Sequence, residues 1–246
     1  MYKVFFSVIA LVAGVILLSD PIVVPLLIKW TPLLALGFVD NILISVASMS
    51  IGILLGVVLG SYQYHKNSVV SGSAIVTTQF FRNAPWIVLL FLCSYLIPYN
   101  INGFIISDYV KSILGFSLSM LANVSEITRG VLASIPKSQW DGGFSLGLKK
   151  WQVILLIILP QGIKRALPPL MNIYTVLVSS TVLASIVGVH EVLAITSDIT
   201  AVDDHPAFFL PLYLYVMTWF FIFCYPISCW SKKLELQLTG AQSSIK

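Results

Sequence analysis

The sequence predicts an all-α integral membrane protein, and its composition carries most of that prediction. Of the 246 residues, 58% are apolar and only 10% are charged, whereas about 25% of the residues of soluble domains are charged. The mean hydropathy is +0.94. A chain with so few charges cannot cover its surface in water, so lipid must be its main solvent. Each helical span through lipid needs roughly 20 mostly apolar residues.

Six apolar runs predict six membrane spans. The first run is interrupted by Ser19, Asp20 and Pro21, and the third has Phe80 and Phe81 as an extension. The runs cover residues 4–18 with 22–28, 33–59, 86–97, 113–132, 170–189 and 208–230. No Gly/Ser linker or charge run divides them, so we expect a single membrane domain.

The N-terminal run has two interpretations. Lys3 followed by the run 4–18 suits a cleaved signal peptide. No small-x-small cleavage site follows it, which favours an additional transmembrane helix over residues 1–30. In both cases the next span starts outside, so the remaining membrane domain, 31–234, keeps its topology. Residues 235–246 are then a cytoplasmic tail.

The distribution of basic residues predicts the orientation, because cytoplasmic loops are enriched in Lys and Arg. Of the 14 basic residues, 12 fall on the side that holds both termini and the loops 61–85 and 129–167. These 12 are Lys3, Lys66, Arg82, Arg129, Lys137, Lys149, Lys150, Lys164, Arg165, Lys232, Lys233 and Lys246. Only Lys29 and Lys111 remain outside. The outer loops instead contain Asp20, Asp108, Glu191, Asp198, Asp203 and Asp204.

The most informative segment is 136–169, which lies between the fourth and fifth predicted spans on the cytoplasmic side. Ser138 is placed to cap a helix whose first turn would contain Asp141. Gly142 and Gly143 remove side chains from one face of that helix, and Gly147 is expected to end or bend it.

Prolines are expected to interrupt the second half of the segment, because proline lacks an amide donor. Pro160 should break the apolar stretch, and Pro168 with Pro169 should stop it again before the fifth span. The pattern therefore predicts a short helix, a break and a second helix. Two interpretations stay open at this point: a helix that docks into another protein, or an ordinary re-entrant or interfacial loop.

The segment resembles the Glu-Ala-Ala loop of binding-protein-dependent ABC importer permeases. That pattern is Glu-Ala-Ala, three residues, Gly, nine residues, Ile, one residue and Leu-Pro. Here it falls on Asp141, Gly142, Gly143, Gly147, Ile157, Leu159 and Pro160. The spacing agrees throughout, while Asp replaces Glu and glycines replace both alanines. Each glycine weakens a helix by roughly 1 kcal/mol relative to alanine.

Flanking motifs extend the resemblance over residues 33–234 and are similar to the polar amino acid uptake branch, the histidine-, glutamine- or arginine-type permeases. They are Phe81-Arg82-Asn83-Ala84-Pro85, Glu126-Ile127-Thr128-Arg129-Gly130, Pro136-Lys137-Ser138-Gln139-Trp140, Leu159-Pro160-Gln161 and Arg165-Ala166-Leu167-Pro168-Pro169. One departure is Ser179-Ser180-Thr181-Val182-Leu183. That branch commonly has Lys-Asp-Thr-Ser-Leu there, so both charges are missing.

The resemblance implies a transport subunit and no enzyme. Such permeases have a five-span helical core, to which residues 1–30 would add a sixth span. They work as homodimers or heterodimers, couple to an ATPase subunit through the Glu-Ala-Ala loop, and receive their substrate from an extracytoplasmic solute-binding protein. The chain has no Gly-x-x-x-x-Gly-Lys-Ser/Thr phosphate loop. ATP with Mg would therefore be bound by the partner ATPase, and this chain would need no cofactor.

The same resemblance implies a polar amino acid as substrate and the bacterial inner (cytoplasmic) membrane as location, with both termini cytoplasmic. Polar residues in the spans are candidates for the translocation pathway, because unsatisfied polar groups are expensive in lipid. These candidates are Asn123, Glu126, Asn172, Ser179 and Thr181. Each also has a structural alternative: Glu126 can pair with Arg129 at helical spacing, and hydroxyls can bond to their own helix.

A ridge of small residues at Gly52, Gly56 and Gly60 suits either contact between permease subunits or packing inside the chain. Other functions make predictions that the sequence does not meet. An intramembrane enzyme needs a catalytic constellation in the spans, and an ion-coupled carrier needs intramembrane acids or broken helices in a repeated arrangement. A permease for another small polar nutrient stays open. Scattered Cys and His indicate no metal site, and no basic stripe with aromatics indicates nucleic acid.

Overall fold

The computed structural model describes residues 2–17, 20–65, 67–101 and 103–243. Its α-helices are α1 (Tyr2–Leu17), α2 (Val23–Gln63), α3 (Ser68–Asn83), α4 (Trp86–Leu96), α5 (Asp108–Ser134), α6 (Lys137–Ser145), α7 (Lys150–Val153), α8 (Leu159–Ser180), α9 (Val192–Val202) and α10 (Pro206–Ser243). A π-helical turn, Ile154–Ile158, joins α7 to α8, and a 3-10 helix, Thr181–Val187, follows α8. Ser19, Lys66, Lys246 and the side chain of Lys3 lie outside the described part.

By length and composition, three continuous helical stretches of the described chain can cross a membrane. They are Val23–Gln63, Lys150–Val187 and Pro206–Leu238. Helices α3 and α4 together are also long and apolar enough to cross a membrane as a fourth span, although the chain bends by 101° between them. Helices α1 and α9 are apolar but shorter. The helical membrane fold is confirmed, while the count of six spans stays a prediction.

Helix α2 joins two runs that the sequence analysis kept apart. The segment 22–28 was assigned to the first span, but helix α2 begins at Val23 and continues past Pro32 to Gln63. Pro32 removes one backbone donor, and beside it the Thr31 hydroxyl donates to the Leu27 carbonyl at 2.7 Å. At 41 residues the helix is about 60 Å long, twice the thickness of the hydrocarbon core. Part of it must therefore extend beyond the hydrocarbon.

Between α4 and α5 the chain forms a small antiparallel hairpin that the all-α prediction did not include. Strand β1 (Asn100–Ile101) pairs with strand β2 (Phe104–Ile105) in the register Asn100 to Ile105 and Ile101 to Phe104. Gly103 takes φ +90° in the turn, and its amide donates to the Asn100 side-chain oxygen at 2.9 Å. A left-handed residue of this kind closes a tight turn with little steric cost only when it is glycine.

The chain divides into two compact units, which we describe separately. The first comprises Met1–Ala47, Ile87–Phe116 and Thr175–Cys229. Its core is apolar and combines α2, α9 and α10. The buried residues are Val23, Leu27, Leu34, Val192, Ile195, Ile199, Phe208, Leu212 and Val216. Helix α1 joins α10 through Phe5, whose ring stacks on Phe221 and Tyr225 with centroids 5.5 and 5.1 Å away.

The second unit comprises Ser48–Trp86, Ser117–Tyr174 and Trp230–Lys246. Here the glycine ridge of α2 packs directly on α5. A Cβ added at Gly52 would lie 2.3 Å from the Met120 Cβ, and one at Gly60 would lie 2.5 Å from the Ser125 carbonyl oxygen. Only glycine permits this approach, so the ridge serves packing inside the chain.

Candidate functional site

The segment 136–169, which we call the coupling segment, begins with a helix that starts earlier than predicted. Pro136 precedes α6 with φ −57° and ψ 143°, and no side chain caps the helix. Lys137, Ser138 and Gln139 occupy the first turn, so Ser138 is not the cap. Asp141 lies in the middle of α6, and the first turn contains no acid. The predictions that Ser138 caps the helix and that Asp141 lies in its first turn were both wrong, because the helix begins directly after Pro136.

The two glycines of α6 have opposite environments. A Cβ at Gly143 would lie 2.8 Å from Val153 Cγ2 and 3.0 Å from Ile157 Cδ1. A Cβ at Gly142 would meet no atom within 4 Å. Gly143 therefore permits close packing of α6 on α7 and the π-helical turn, while Gly142 lies on the open face.

Gly147 ends α6, as predicted. Its φ is +76°, in the left-handed region that favours glycine. Its amide donates to the Phe144 carbonyl at 2.9 Å, and the Leu148 amide donates to the Gly143 carbonyl at 3.3 Å. These two bonds form a Schellman motif, which satisfies carbonyls that the helix end would leave free.

The rest of the segment is more continuous than its prolines suggested. Before Pro160 the chain widens into the π-helical turn, where the Leu159 amide bonds to the Ile154 carbonyl. Pro168 and Pro169 lie inside α8 and do not stop it, so that prediction was wrong. Membrane helices tolerate proline because the carbonyls that it frees can find other partners. The Pro168 carbonyl itself accepts a hydrogen bond from the Ser231 hydroxyl of α10 at 2.8 Å.

One face of α6 is fixed to a hydrophobic base. Ile135, Val153 and Ile158 are buried in this base, and Trp140 with Leu148 packs against them. Polar contacts add to it: the Arg165 guanidinium donates to the Ser134 carbonyl at 2.8 Å, and the Gln161 amide donates to the Gln139 side-chain oxygen at 3.1 Å.

The opposite face of α6 is open. Leu146 is 78% exposed and Phe144 is 47% exposed. Asp141, Gly142 and Ser145 are exposed beside them. The coupling segment therefore presents a small apolar and acidic surface on one face of α6, while the other face is packed against the hydrophobic base.

Of the remaining residues that match the Glu-Ala-Ala pattern, only one contacts the base. Ile157 is half-buried and packs on it, whereas Leu159 and Pro160 at the start of α8 are exposed. Their roles in coupling stay predictions.

Among the candidate pathway residues of the second unit, Glu126 forms a charge network. It accepts hydrogen bonds from the Arg129 guanidinium, and the Arg82 guanidinium lies 3.8 Å away. The structural alternative, a pair at helical spacing, is therefore present. Asn123 donates to the Ser119 carbonyl of its own helix at 2.8 Å. Asn172 is exposed on α8.

The two candidates of the first unit differ from each other. Ser179 is exposed and donates to the Thr175 carbonyl at 3.1 Å. Thr181 is fully buried, donates to the Val178 carbonyl, and accepts a bond from the Asn41 amide at 2.9 Å. The assignment of the five residues to a pathway stays a prediction.

Asn41 belongs to a buried polar cluster that the sequence analysis missed. Its amide also donates to Glu191 at 2.8 Å, and its side-chain oxygen accepts from the Val192 amide at 3.2 Å. Glu191 is fully buried and caps α9 by accepting from the Leu193 and Ala194 amides. The one available signal was the position of Glu191, directly before an apolar helical run.

A second missed cluster ties three helices of the second unit together. The Gln63 amide donates to the Thr78 hydroxyl at 2.8 Å and to the Ser125 hydroxyl at 2.6 Å. The two hydroxyls lie 3.1 Å apart. All three side chains are buried, and each finds a partner, as buried polar groups must in lipid.

Both lysines on the predicted outer side have acidic partners. Lys29 lies 3.2 Å from Asp203 and over the Trp30 ring, 4.4 Å from its centroid. Lys111 lies 3.3 Å from Asp108. The Trp30 indole also donates to Asp203, and this bond together with Lys29 lowers the pKa of that carboxyl below its ordinary value of 3.8.

Sequence comparison identifies the family. Residues 52–228 match the family of binding-protein-dependent transport system inner membrane components, which is well over half of the chain. The chain belongs to this family. The matched region contains the whole coupling segment and the cluster of Gln63, Thr78 and Ser125. It also contains Glu191 and Thr181 of the other polar cluster, but not Asn41.

Individual relatives of this inner membrane component are permeases. The probable amino-acid ABC transporter permease YckA of Bacillus subtilis (strain 168) is 35% identical over 168 residues, which covers 68% of this chain and 74% of the relative. The L-cystine transport system permease TcyB of the same organism is 27% identical over 208 residues, covering 84% and 87%. The predicted resemblance to importer permeases is thereby confirmed.

Comparison of structures supports the same fold. A crystal structure of an amino acid ABC transporter with histidines matches with a TM-score of 0.72 at 21% identity, covering 86% of this chain and 96% of that one. As a family member, the protein is a transporter subunit and not an enzyme, and it lies in the inner membrane. Such systems include an ATPase and a substrate-binding protein.

Proposed function

We propose that this inner membrane component is the permease of an importer for a polar amino acid, driven by ATP that a separate subunit binds with Mg and hydrolyses. Two relatives are named as amino-acid and L-cystine permeases. The flanking motifs, such as Arg165 to Pro169, resemble the polar amino acid branch. A permease for another small polar nutrient is the alternative.

The observation that carries the proposal is the two-sided construction of α6. The Glu-Ala-Ala spacing falls on a helix that is fixed on one side by Gly143, Trp140 and their neighbours. On the other side it exposes Phe144 and Leu146. Exposed apolar groups next to polar ones are typical of a protein interaction site. An ATPase groove is the partner that this loop would take in such a system.

The mechanism follows from packing. Close-packed interiors transmit displacement because their side chains leave no room to slip. A partner that binds the open face of α6 and moves when it closes on ATP would carry the base and the start of α8 with it. Rigid-body motion of this kind switches the access of a transport pathway.

The remaining assignments are part of the same proposal. Both termini and the coupling segment face the cytoplasm, because 12 of the 14 basic residues then lie on that side. Residues 1–30 contain the additional helix α1 and the first turns of α2, which continues into the permease domain 31–234. Residues 235–246 form the tail, where α10 continues to Ser243. A second permease, identical or not, completes the pathway.

Within such a dimer the pathway would be lined by side chains that the single chain leaves exposed. Ser179 and Asn172 meet this condition. Asn123, Glu126 and Thr181 are engaged inside the chain and would act by positioning helices. Substrate specificity would then depend on the binding protein as well as on this path.

Uptake measurements with Leu146→Asp test the proposal. Losing burial of a leucine costs about 1.5–3 kcal/mol, which predicts a roughly tenfold or larger loss of ATPase docking and hence of uptake. Leu236→Asp is the matched control, since Leu236 is also an exposed leucine of the second unit, 65% exposed, but lies on α10. Uptake of labelled glutamine, histidine, arginine and cystine is compared at equal membrane levels, and the purified protein is assayed for bound ATPase.

The outcomes separate the two parts of the proposal. If the unaltered protein moves none of these amino acids, the substrate assignment is wrong. If Leu146→Asp transports as well as Leu236→Asp, the docking role of α6 is wrong.

A further inference from the structure

The hairpin between α4 and α5 exposes an unusual amount of apolar surface for a loop. Phe104 is 77% exposed and Ile105 is exposed beside it. Tyr99, which accepts the closing hydrogen bond from the Ile106 amide at 2.8 Å, is 62% exposed. Water would be a poor solvent for three such neighbours.

The sequence around the hairpin carries no charge. From Asn83 to Ser107, between Arg82 and Asp108, there is no Asp, Glu, Lys or Arg. Loops that meet bulk water normally include charged residues, which are mostly found exposed, and the rim of a protein interface is polar. The loop between α9 and α10 shows the contrast, because Asp203, Asp204 and His205 follow one another there.

Helix α4, which precedes the hairpin, also exposes apolar side chains on one face. Val88, Leu92 and Tyr95 are exposed at helical spacing, and Tyr95 is 82% exposed. In a membrane protein such a stripe is solvated by lipid. Helix α4 ends at Leu96, and the exposed Tyr99 and strand β2 follow within a few residues. The chain therefore passes from a lipid-facing helix directly into the hairpin.

The backbone limits how deep the hairpin can lie. A two-stranded hairpin leaves the outer N–H and C=O groups of both strands unpaired, and such edges do not occur in the hydrocarbon region. The headgroup region supplies hydrogen-bond partners and accepts aromatic rings, which is why Tyr and Trp concentrate there. The exposed apolar side chains therefore exclude bulk water as the environment of the hairpin, and the unpaired strand edges exclude the hydrocarbon core.

We propose that strands β1 and β2 lie in the membrane interface, with the Phe104 side chain directed to the acyl boundary and the Tyr99 and Tyr95 rings at the headgroup level. Their partner is the lipid bilayer. The hairpin thereby anchors the connection between α4 and α5 and is not available as a docking surface for a soluble protein.

Spin labelling tests this placement. Nitroxides are attached at Phe104→Cys, Leu92→Cys and Asp204→Cys in a variant that lacks Cys93, Cys224 and Cys229. The protein is reconstituted in vesicles of phosphatidylethanolamine with a minor share of phosphatidylglycerol. Collision rates with oxygen, which partitions into lipid, and with a water-soluble nickel chelate are compared. We expect the oxygen-to-nickel ratio at position 104 to exceed that at 204 several-fold and to lie below that at 92.

Two results would overturn the proposal. A ratio at 104 equal to that at 204 would place the hairpin in water. Low collision rates with both reagents would mean that protein covers it, for instance a second copy of the chain. If the cysteine-free variant does not fold, Phe104→Trp in the unaltered background gives the same answer. Its added fluorescence should be quenched by lipids brominated near the headgroup, and no quenching would refute the placement.

Discussion

Replacing Gly143 by alanine should destabilise the protein relative to the same replacement at Gly142, its neighbour in α6. Both changes gain helix propensity, worth roughly 1 kcal/mol each, so this gain cancels in the comparison. Only Gly143→Ala forces a methyl group to within 2.8 Å of Val153 Cγ2. Val153 is fully buried and β-branched, so it cannot turn away cheaply.

The size of the effect follows from the cost of overpacking, typically about 1–3 kcal/mol. Gly142→Ala should therefore stabilise the protein slightly. The free energy of unfolding of Gly143→Ala should be about 1–3 kcal/mol lower than that of Gly142→Ala. For a chain of this length that difference corresponds to roughly 2–12 °C in Tm. Thermal unfolding of the two purified variants in the same detergent measures it directly.

The comparison also has a functional readout. A Cβ at Gly142 meets no atom within 4 Å, so Gly142→Ala should retain uptake. Gly143→Ala should shift α6 away from its base and reduce uptake at equal membrane levels. Equal melting temperatures for the two variants would refute the packing role of Gly143, and with it the claim that α6 is fixed to the start of the next helix.

Three further predictions concern other parts of the chain. Gly147→Ala should cost about 1–2 kcal/mol, because its φ of +76° disfavours any side chain; thermal unfolding measures the loss. Thr78→Val should cost about 1–3 kcal/mol in the same assay, since it leaves the buried amide of Gln63 without that acceptor. Asp203→Asn should lower the Tm at neutral pH but not in acid. The pKa of Asp203 is lowered by the Trp30 hydrogen bond, so its contribution is present above the unfolded pKa and is lost as the pH falls below about 4.

The first two of these variants have matched control variants, and Asp203→Asn is compared with itself in acid. Gly130→Ala changes a glycine of α5 that has open space and no positive φ, so it should not destabilise. Thr78→Ser keeps the hydroxyl and should retain most of the stability. A Gly147→Ala variant as stable as Gly130→Ala, or a Thr78→Val variant as stable as Thr78→Ser, would contradict the corresponding argument. For Asp203→Asn, a Tm difference that persists unchanged in strong acid would do so.

Local signals predicted the parts of the site that depend on neighbouring residues. Gly147 ends α6 because a helix end of this type needs a left-handed residue. Glu126 and Arg129 pair because residues three apart lie on one helix face. The membrane fold followed from composition, since no other solvent suits 58% apolar residues.

Capping and proline signals failed where tertiary context decides. Ser138 is a good cap by type, but Pro136 starts the helix before it. Pro168 and Pro169 favour a helix end in water, yet α8 continues through both, as membrane helices can. The hairpin was missed because its strands are only two residues each, too short for an alternating pattern.

The polar clusters could not be predicted because their members are distant in sequence. Gln63 lies 62 residues from Ser125, and Asn41 lies 150 residues from Glu191. No periodicity relates such positions. Their polarity was visible, but which residues meet is decided by the packing of α2 on its neighbours, where glycines such as Gly60 set the distance.

The continuity of the helical chain from Lys150 to Val187 changes what a pull on α6 can do. The sequence predicted breaks at Pro160 and Pro168, and such breaks would act as flexible joints that absorb a displacement. The π-helical turn instead keeps the backbone hydrogen-bonded at Leu159, and α8 continues through the later prolines. Under the proposed function, a subunit that grips Phe144 and Leu146 therefore moves the start of α8 with them. The joint between α6 and this helix is the contact of Gly143 with Val153, so the alanine variant that tests packing also tests transmission.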